Sequence, residues 1–400
     1  MIDKAEHLEK NQIVNGGSFY TPARFVEIAA QWLKEERFDS SYTVADTSCG
    51  YGAFFRLRSH FPKNRYVGND VDPVAARVAR KNYPFAEIFN KSALSGIGRA
   101  MFRLGTEKLC VVGNPPYNDV TSQIGRPIKT ARHETDEAVR SRDLGISFLK
   151  SYAALAADLV LILHPLSYLI KKANFTSAKR FFDRYALRRS LVFSSHEFAD
   201  TSRSGEFPIV MALYAASPGG GLTYEQVRNH PFRTLEGDAF RLADFDYVAD
   251  HIRKYPGRDR YTPEILFYTL RDVNALRRCH TFITERCAGA VDVPPDKLAY
   301  YCYIDLFKEY ARAPYWMGNF DVPFRRKSFS RYAADITALS KSRHPEVFGA
   351  QPPIPPETER RVIAYIRSVL KRPKEKNARP CHGVRSISAP TSPPKKNPST

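Results

Sequence analysis

The sequence contains no CxxC pair. Its six cysteines (Cys49, Cys110, Cys279, Cys287, Cys302, Cys381) are scattered. That excludes a disulfide scaffold and points to a reducing, cytoplasmic setting. Cys279, His280 and Cys287 lie close together, but they lack the second ligand pair a zinc site needs, so no metal is expected. No apolar run is long enough to cross a membrane; the longest, residues 153–163, is interrupted by Asp158. The first residues, MIDKAEHLEKNQ, are charged and lack the apolar core of a secretory signal. There is no internal repeat, no three-glycine GxGxxG fingerprint and no lysine-bearing phosphate loop.

Negative charge is also scarce. Asp+Glu total 42 against Lys+Arg 61, a formal net charge of +19. Such an excess favours a polyanionic partner, because basic groups that neutralise phosphates release condensed counterions. A membrane surface would attract it too, so charge alone does not name the partner. What is abundant is apolar and aromatic surface: 43% hydrophobic and 12% aromatic residues over 400 positions. That is enough for a sizeable core in one large domain or two ordinary ones.

The first half alternates patterns. Residues 25–33 (FVEIAAQWL) have helical spacing, and 42–46 (YTVAD) read as a short buried strand ending in an acid. A helix is expected over 53–60, a strand over 65–70, a helix over 73–82 and a strand over 109–113 (LCVVG). Residues 144–156 read as a helix, 158–164 as a strand and 209–214 as another. This alternation predicts an α/β fold with a mostly parallel sheet, whose ligands sit beyond the carboxyl ends of the strands. The polar motifs fall at those ends.

The strongest is Asn114-Pro115-Pro116-Tyr117, directly after LCVVG. An aromatic amine is a poor nucleophile because its lone pair is delocalised into the ring. The Asn114 side-chain oxygen and the Pro115 carbonyl are suited to hold the amine protons and localise that lone pair. Pro115 and Pro116 stiffen the turn, and Tyr117 offers a ring for stacking. In Asp46-Thr47-Ser48-Cys49-Gly50-Tyr51-Gly52 an acid closes a strand, and two glycines let the backbone approach a ligand. In Gly68-Asn69-Asp70-Val71-Asp72-Pro73 a carboxylate can accept ribose hydroxyls; Asp70 takes that role, and Asp72 before Pro73 reads as a helix cap. Phe19-Tyr20-Thr21-Pro22 alone reads as a helix start with Thr21 as cap.

In this order, the four segments resemble the amino-methyltransferases of the gamma class, the N6-adenine DNA methyltransferases of restriction–modification systems. Residues 143–152 (DLGISFLKSY), 159–169 (LVLILHPLSYL) and 206–214 (EFPIVMALY) are similar to later pieces of that family, so the likeness runs from about 19 to 214. The resemblance implies a Rossmann-like methyltransferase sheet of about seven strands with helices on both faces. It implies S-adenosylmethionine as donor and a flipped adenine as substrate. Tyr20, Thr21 and Asp46 would contact the donor's amino-acid end, and the turn from Cys49 through Gly50 to Gly52 would pass beneath it. Asp70 would hold the ribose, with Val71 against the adenine ring. Asn114 and Pro115 would bind the target amine, Tyr117 would stack on the target base, and Phe207 would add a second ring. Two positions depart from the family: Thr47 stands where a proline is common, and Ser92 stands near where an acid usually meets the cofactor's adenine amine.

The segment SPGGG at 217–221 suggests a domain boundary, giving a catalytic domain over 1–220, a DNA target-recognition domain over 221–370 and a disordered basic tail over 371–400. Arg258, Arg260, Arg277, Arg278, Arg325, Arg326 and Lys327 are the candidate DNA-binding residues, with Tyr315, Trp316 and Phe320 near the last cluster. The long polar loop 118–142 is a candidate to close over DNA. Double-stranded DNA is the expected partner, with a separate cognate endonuclease acting on the same site; a monomer is expected. Three rivals remain: a protein glutamine methyltransferase, a cytosine-N4 methyltransferase, and a DNA-binding protein with a catalytically dead fold.

Overall fold

The computed structural model describes residues 21–117, 134–198, 206–270, 272–277 and 280–370. Tyr20, Arg278, most of the 118–142 loop and the tail from 371 lie outside the described residues. Seven strands form one sheet: β1 (Tyr42–Asp46), β2 (Arg65–Asn69), β3 (Glu87–Phe89), β4 (Lys108–Gly113), β5 (Leu159–Pro165), β6 (Tyr185–Ser194) and β7 (Pro208–Ala216). Their order is β3-β2-β1-β4-β5-β7-β6. Strands β1 to β5 pair in parallel. Strand β7 runs against both its neighbours. The expected mostly parallel α/β sheet is therefore present, with helix α1 (Ala23–Glu35) ahead of its first strand and helices α2 (Pro73–Asn82) and α3 (Leu144–Ala154) between its strands.

Strands covered on both faces read as continuous apolar runs, and β4 and β5 are buried along nearly their whole length. Polar residues appear where the strands end. From β1 the chain steps outward to β2 and β3, then returns to β4 on the other side of β1. A reversal of this kind, here at the carboxyl ends of β1 and β4, is where the ligand crevice of such sheets lies.

Two local expectations change. The stretch after Gly52 winds as a tighter 3-10 helix (Ala53–Ser59), because Gly52 enters it left-handed at φ 88°. Helix α1 starts after Pro22 and carries no side-chain cap, so Thr21 is buried rather than capping. The Asp72 cap is as expected: its Oδ1 accepts the Val74 N–H at 2.9 Å, with Pro73 at the first helical position.

Within β5, His164 is enclosed. Its Nε2 lies 2.8 Å from the Tyr214 hydroxyl and its Nδ1 2.9 Å from the Pro165 carbonyl. Burial holds its pKa down at about 4, against 6.5 in an exposed chain. The unfolded chain thus takes up a proton that the folded one refuses. Stability is full above pH 6.5 and erodes as pH falls towards 4, by on the order of 3 kcal/mol. Melting curves across that window should show it, and His164→Gln should lower stability at pH 7 while flattening the acid slope. An unchanged slope would refute the assignment.

The second half contains α4 (Leu298–Tyr310), α5 (Arg326–Arg343) and α6 (Pro356–Leu370) packed on one another, with a small antiparallel sheet of Leu266–Tyr268 between Phe282–Ile283 and Ala290–Asp292. Its aromatic content goes into this core. Trp316 and Phe320 are buried, and Trp316 stacks on Phe240 at 4.3 Å and 6°. Trp316 and Phe320 therefore serve packing, whereas Tyr315 is half-buried with its hydroxyl donating to Glu236 Oε2 at 2.7 Å. Buried Asp305 knits the elements together: it accepts from the Thr281 hydroxyl at 2.6 Å and the Ser340 hydroxyl at 2.8 Å, and lies 3.0 Å from His344 Nε2. No helix among the described residues is long and apolar enough to cross a membrane.

Candidate active site

The crevice is built from two turns stitched together. After β1, the backbone turns through Gly50 (φ 54°) and Gly52 (φ 88°). A β-carbon at Gly52 would lie 2.6 Å from the Phe55 ring and 2.8 Å from the Tyr83 ring, so position 52 tolerates no side chain. After β2, Asp70 reaches across to it: Asp70 Oδ2 accepts the Gly50 N–H at 2.7 Å, while Oδ1 accepts the Asp72 N–H at 2.9 Å. The Cys49 N–H donates to the Asn69 carbonyl at 2.8 Å. Asp46, Cys49, Gly50, Gly52 and Asp70 are thus gathered in one place.

Asn69 is a positioning residue that the sequence reading missed. It is buried; its Nδ2 donates to the Thr47 and Lys91 carbonyls, both at 3.0 Å, and its Oδ1 accepts the Lys91 N–H at 3.2 Å. It thereby ties the ends of β1, β2 and β3. Asn90 adds to this by donating to the carbonyls of Asp70 and Val71, at 2.7 and 3.1 Å. A polar pair at consecutive strand ends was the available signal.

The electrostatics of the crevice are unusual. The Asp46 carboxyl is enclosed, accepts the Ser48 N–H at 3.1 Å, and pairs with no cation among the described residues. Burial pushes its pKa up to about 8, with Asp70 adding to the rise. Asp70 is half-buried as a residue, but its carboxyl group is turned inward, and burial raises its pKa as well. Beneath the turn lies the Tyr152 hydroxyl on α3, raised by burial and then by Asp46. Burial, followed by the two acids, also raises the Cys49 thiol, which is therefore no nucleophile. Next to Asp70, Val71 is 44% exposed, one of three large apolar side chains left open to solvent among the described residues.

The Asn114 loop meets this acid pair directly. Gly113 ends β4 so close to Asp46 that a β-carbon there would lie 2.9 Å from Asp46 Oδ1. Asn114 and Pro116 are half-buried, Pro115 and Tyr117 buried. The Tyr117 ring meets Phe207 edge to face, with centroids 6.4 Å apart and an 80° angle. The two expected stacking rings are therefore neighbours. Tyr117 is covered in this state, so presenting a ring face to a base requires the loop to shift.

Ser92 sits at the far side, half-buried. Its hydroxyl donates to the Glu134 carbonyl at 3.2 Å and accepts the Leu94 N–H at 3.3 Å. The second bond is local to the loop after β3, and the first ties that loop to a segment 42 positions on. The basic candidates divide. Arg258, Arg260, Arg277, Arg326 and Lys327 are exposed and Arg325 is half-buried, but three of them have protein partners. Arg260 pairs with Asp292 at 3.3 Å, Arg277 donates to the Ala313 carbonyl at 2.9 Å, and Arg325 donates to the Ser368 carbonyl at 2.7 Å.

Residues 6–174 match the family model described as N-6 DNA Methylase. No curated protein matches the chain. Among solved structures, the chain is similar to a modification subunit ascribed to a type I restriction enzyme from Vibrio vulnificus YJ016. There the identity is 13% and the TM-score 0.38, over 52% of this chain and 47% of that one. It is also similar to a protein described as a class I S-adenosylmethionine-dependent methyltransferase from Listeria monocytogenes. Identity is then 12% and the TM-score 0.38, over 54% of this chain and 66% of that one. The chain spans about half the length of the first of these.

Proposed function

We propose that this chain is an S-adenosylmethionine-dependent DNA methyltransferase acting on the N6 amine of adenine, with host-DNA protection in a restriction–modification system as its setting. The observation that carries the reading is the enclosed Asp46–Asp70 pair beside open Val71, set directly against the Asn114 loop at the β1/β4 reversal. The match of residues 6–174 supports it.

The crevice fits the donor on its own chemistry. A carboxyl buried without a cation suits a ligand that brings an ammonium. A second carboxyl suits vicinal hydroxyls, and an exposed valine suits the face of a ring. Asp46 and the 49–52 turn would hold the amino-acid end, Asp70 the ribose, and Val71 the adenine. When bound, S-adenosylmethionine supplies an activated methyl group. The chain's own work is positioning and electrostatics. Asn114 Oδ1 and the Pro115 carbonyl accept the protons of the target amine and turn its lone pair towards the donor side. Pro116 stiffens the loop. Tyr117 and Phe207 pack against the extruded base, offsetting part of the few kcal/mol that unstacking costs. The second half, through exposed Arg258, Arg326 and Lys327, supplies phosphate contacts.

Two measurements test this. Calorimetry should show S-adenosylmethionine binding to the purified protein. Nucleoside analysis of DNA from a host expressing it should show N6-methyladenine. N4-methylcytosine as product, or no methylated base, would overturn the reading.

A further inference from the structure

The acceptor side of the crevice is not built by the first half alone. Phe207 follows Glu206 at the entry to β7, and its backbone is held from one side by Ser195. The Ser195 hydroxyl accepts the Phe207 N–H at 3.1 Å, and the Ser195 N–H donates to the Phe207 carbonyl at 2.9 Å. From the other side comes a residue of the second half. Asn274 Nδ2 donates to the Glu206 carbonyl at 2.8 Å, across 68 positions of chain.

Asn274 is itself fixed. It lies on the single turn Val273–Leu276, whose cap, Asp272, accepts the Ala275 N–H at 2.9 Å and pairs with Lys171 beyond β5. The Asn274 N–H donates to the Gly318 carbonyl at 3.0 Å, and the Val273 N–H to the Phe320 carbonyl at 3.0 Å. Gly318 is where the amide needs room: a β-carbon there would lie 2.3 Å from Asn274 Nδ2. The same short turn therefore bonds to the core of the second half and to the peptide that sets the Phe207 ring.

We propose that Asn274 is a positioning residue for the acceptor pocket: by holding the Glu206–Phe207 peptide it sets the ring that faces Tyr117, and so makes the pocket's geometry depend on the second half. The role in chemistry rests on the methyltransferase reading above; the role in positioning does not.

The test uses the full chain with 4-fluorophenylalanine at position 207. Asn274→Ala removes the bond, and Gly318→Ala displaces the amide while keeping the asparagine. Both should shift the fluorine resonance of position 207, with S-adenosylmethionine affinity unchanged. A resonance that stays put in both variants overturns the proposal, whether or not the protein methylates DNA. If the intact protein transfers no methyl group to DNA, the reading above fails, while the resonance still decides the positioning. With activity in hand, Asn274→Ala should lower kcat/KM for DNA by on the order of tenfold. Because it acts through Phe207, Asn274→Ala combined with Phe207→Ala should be no worse than Phe207→Ala alone. Losses that multiply would show that Asn274 works by another route and would overturn the coupling.

Discussion

Replacing Asn114 by alanine is expected to abolish methyl transfer while leaving S-adenosylmethionine binding largely intact. The structure separates the two tasks by a single residue. Gly113 abuts Asp46, and the expected donor contacts Asp46, Cys49, Gly50, Gly52, Asp70 and Val71 come from the β1 and β2 turns, with Thr21 ahead of α1 and Ser92 after β3; none of them lies on the Asn114 loop. Asn114 is the next residue along, at the mouth of β4, while the turns are stitched by Asp70, Asn69 and Asn90. Losing a hydrogen bond that tightens in the transition state costs about 3 kcal/mol, roughly a hundredfold in rate, and mispositioning of the amine adds to that. Tyr117→Ala should behave differently, weakening capture of the base by about 1–3 kcal/mol of stacking. Single-turnover transfer of a radiolabelled methyl group, alongside calorimetry of donor binding, distinguishes these outcomes. Full transfer by Asn114→Ala, or donor binding lost together with activity, would contradict the division.

The crevice was legible in the sequence because buried parallel strands are written as apolar runs that stop at polar residues. LCVVG before Asn114 and YTVAD ending at Asp46 mark strand ends without ambiguity, and the structure puts both beside the β1/β4 reversal. What was hidden depends on partners far away in the chain. Asn69 looks like filler beside Asp70, yet it ties the ends of three strands. Arg260 reads as a free cation until Asp292 is found 32 positions on. Trp316 and Phe320 stand near a basic cluster in the sequence, an interleaving that suits nucleic-acid contacts. Their burial against Phe240 follows from elements of two or three residues, too short to leave a periodic signature. The same brevity hid Asn274, whose helix is a single turn.

Donor affinity should rise steeply with pH. Asp46 is enclosed, accepts one backbone N–H and has no cationic partner among the described residues, so its pKa stands at about 8. At pH 6 the free protein therefore holds Asp46 as the neutral acid. Its carboxylate is the form that pairs with an ammonium, so binding must release a proton, and affinity should climb roughly tenfold per pH unit up to about pH 8. Above that the donor's own α-ammonium, with an ordinary pKa near 8, loses its proton and affinity falls again. Asp46→Asn cannot ionise. It should bind weakly at every pH and lose the climb between pH 6 and 8. Asp70→Asn should bind more weakly but keep the climb, displaced towards lower pH, because Asp46 remains to ionise and Asp70 adds to the rise in its pKa. Calorimetry in buffers of different ionisation enthalpy counts the released proton directly. A pH-independent affinity in the intact protein, or a climb that survives Asp46→Asn, would remove Asp46 from the ammonium site.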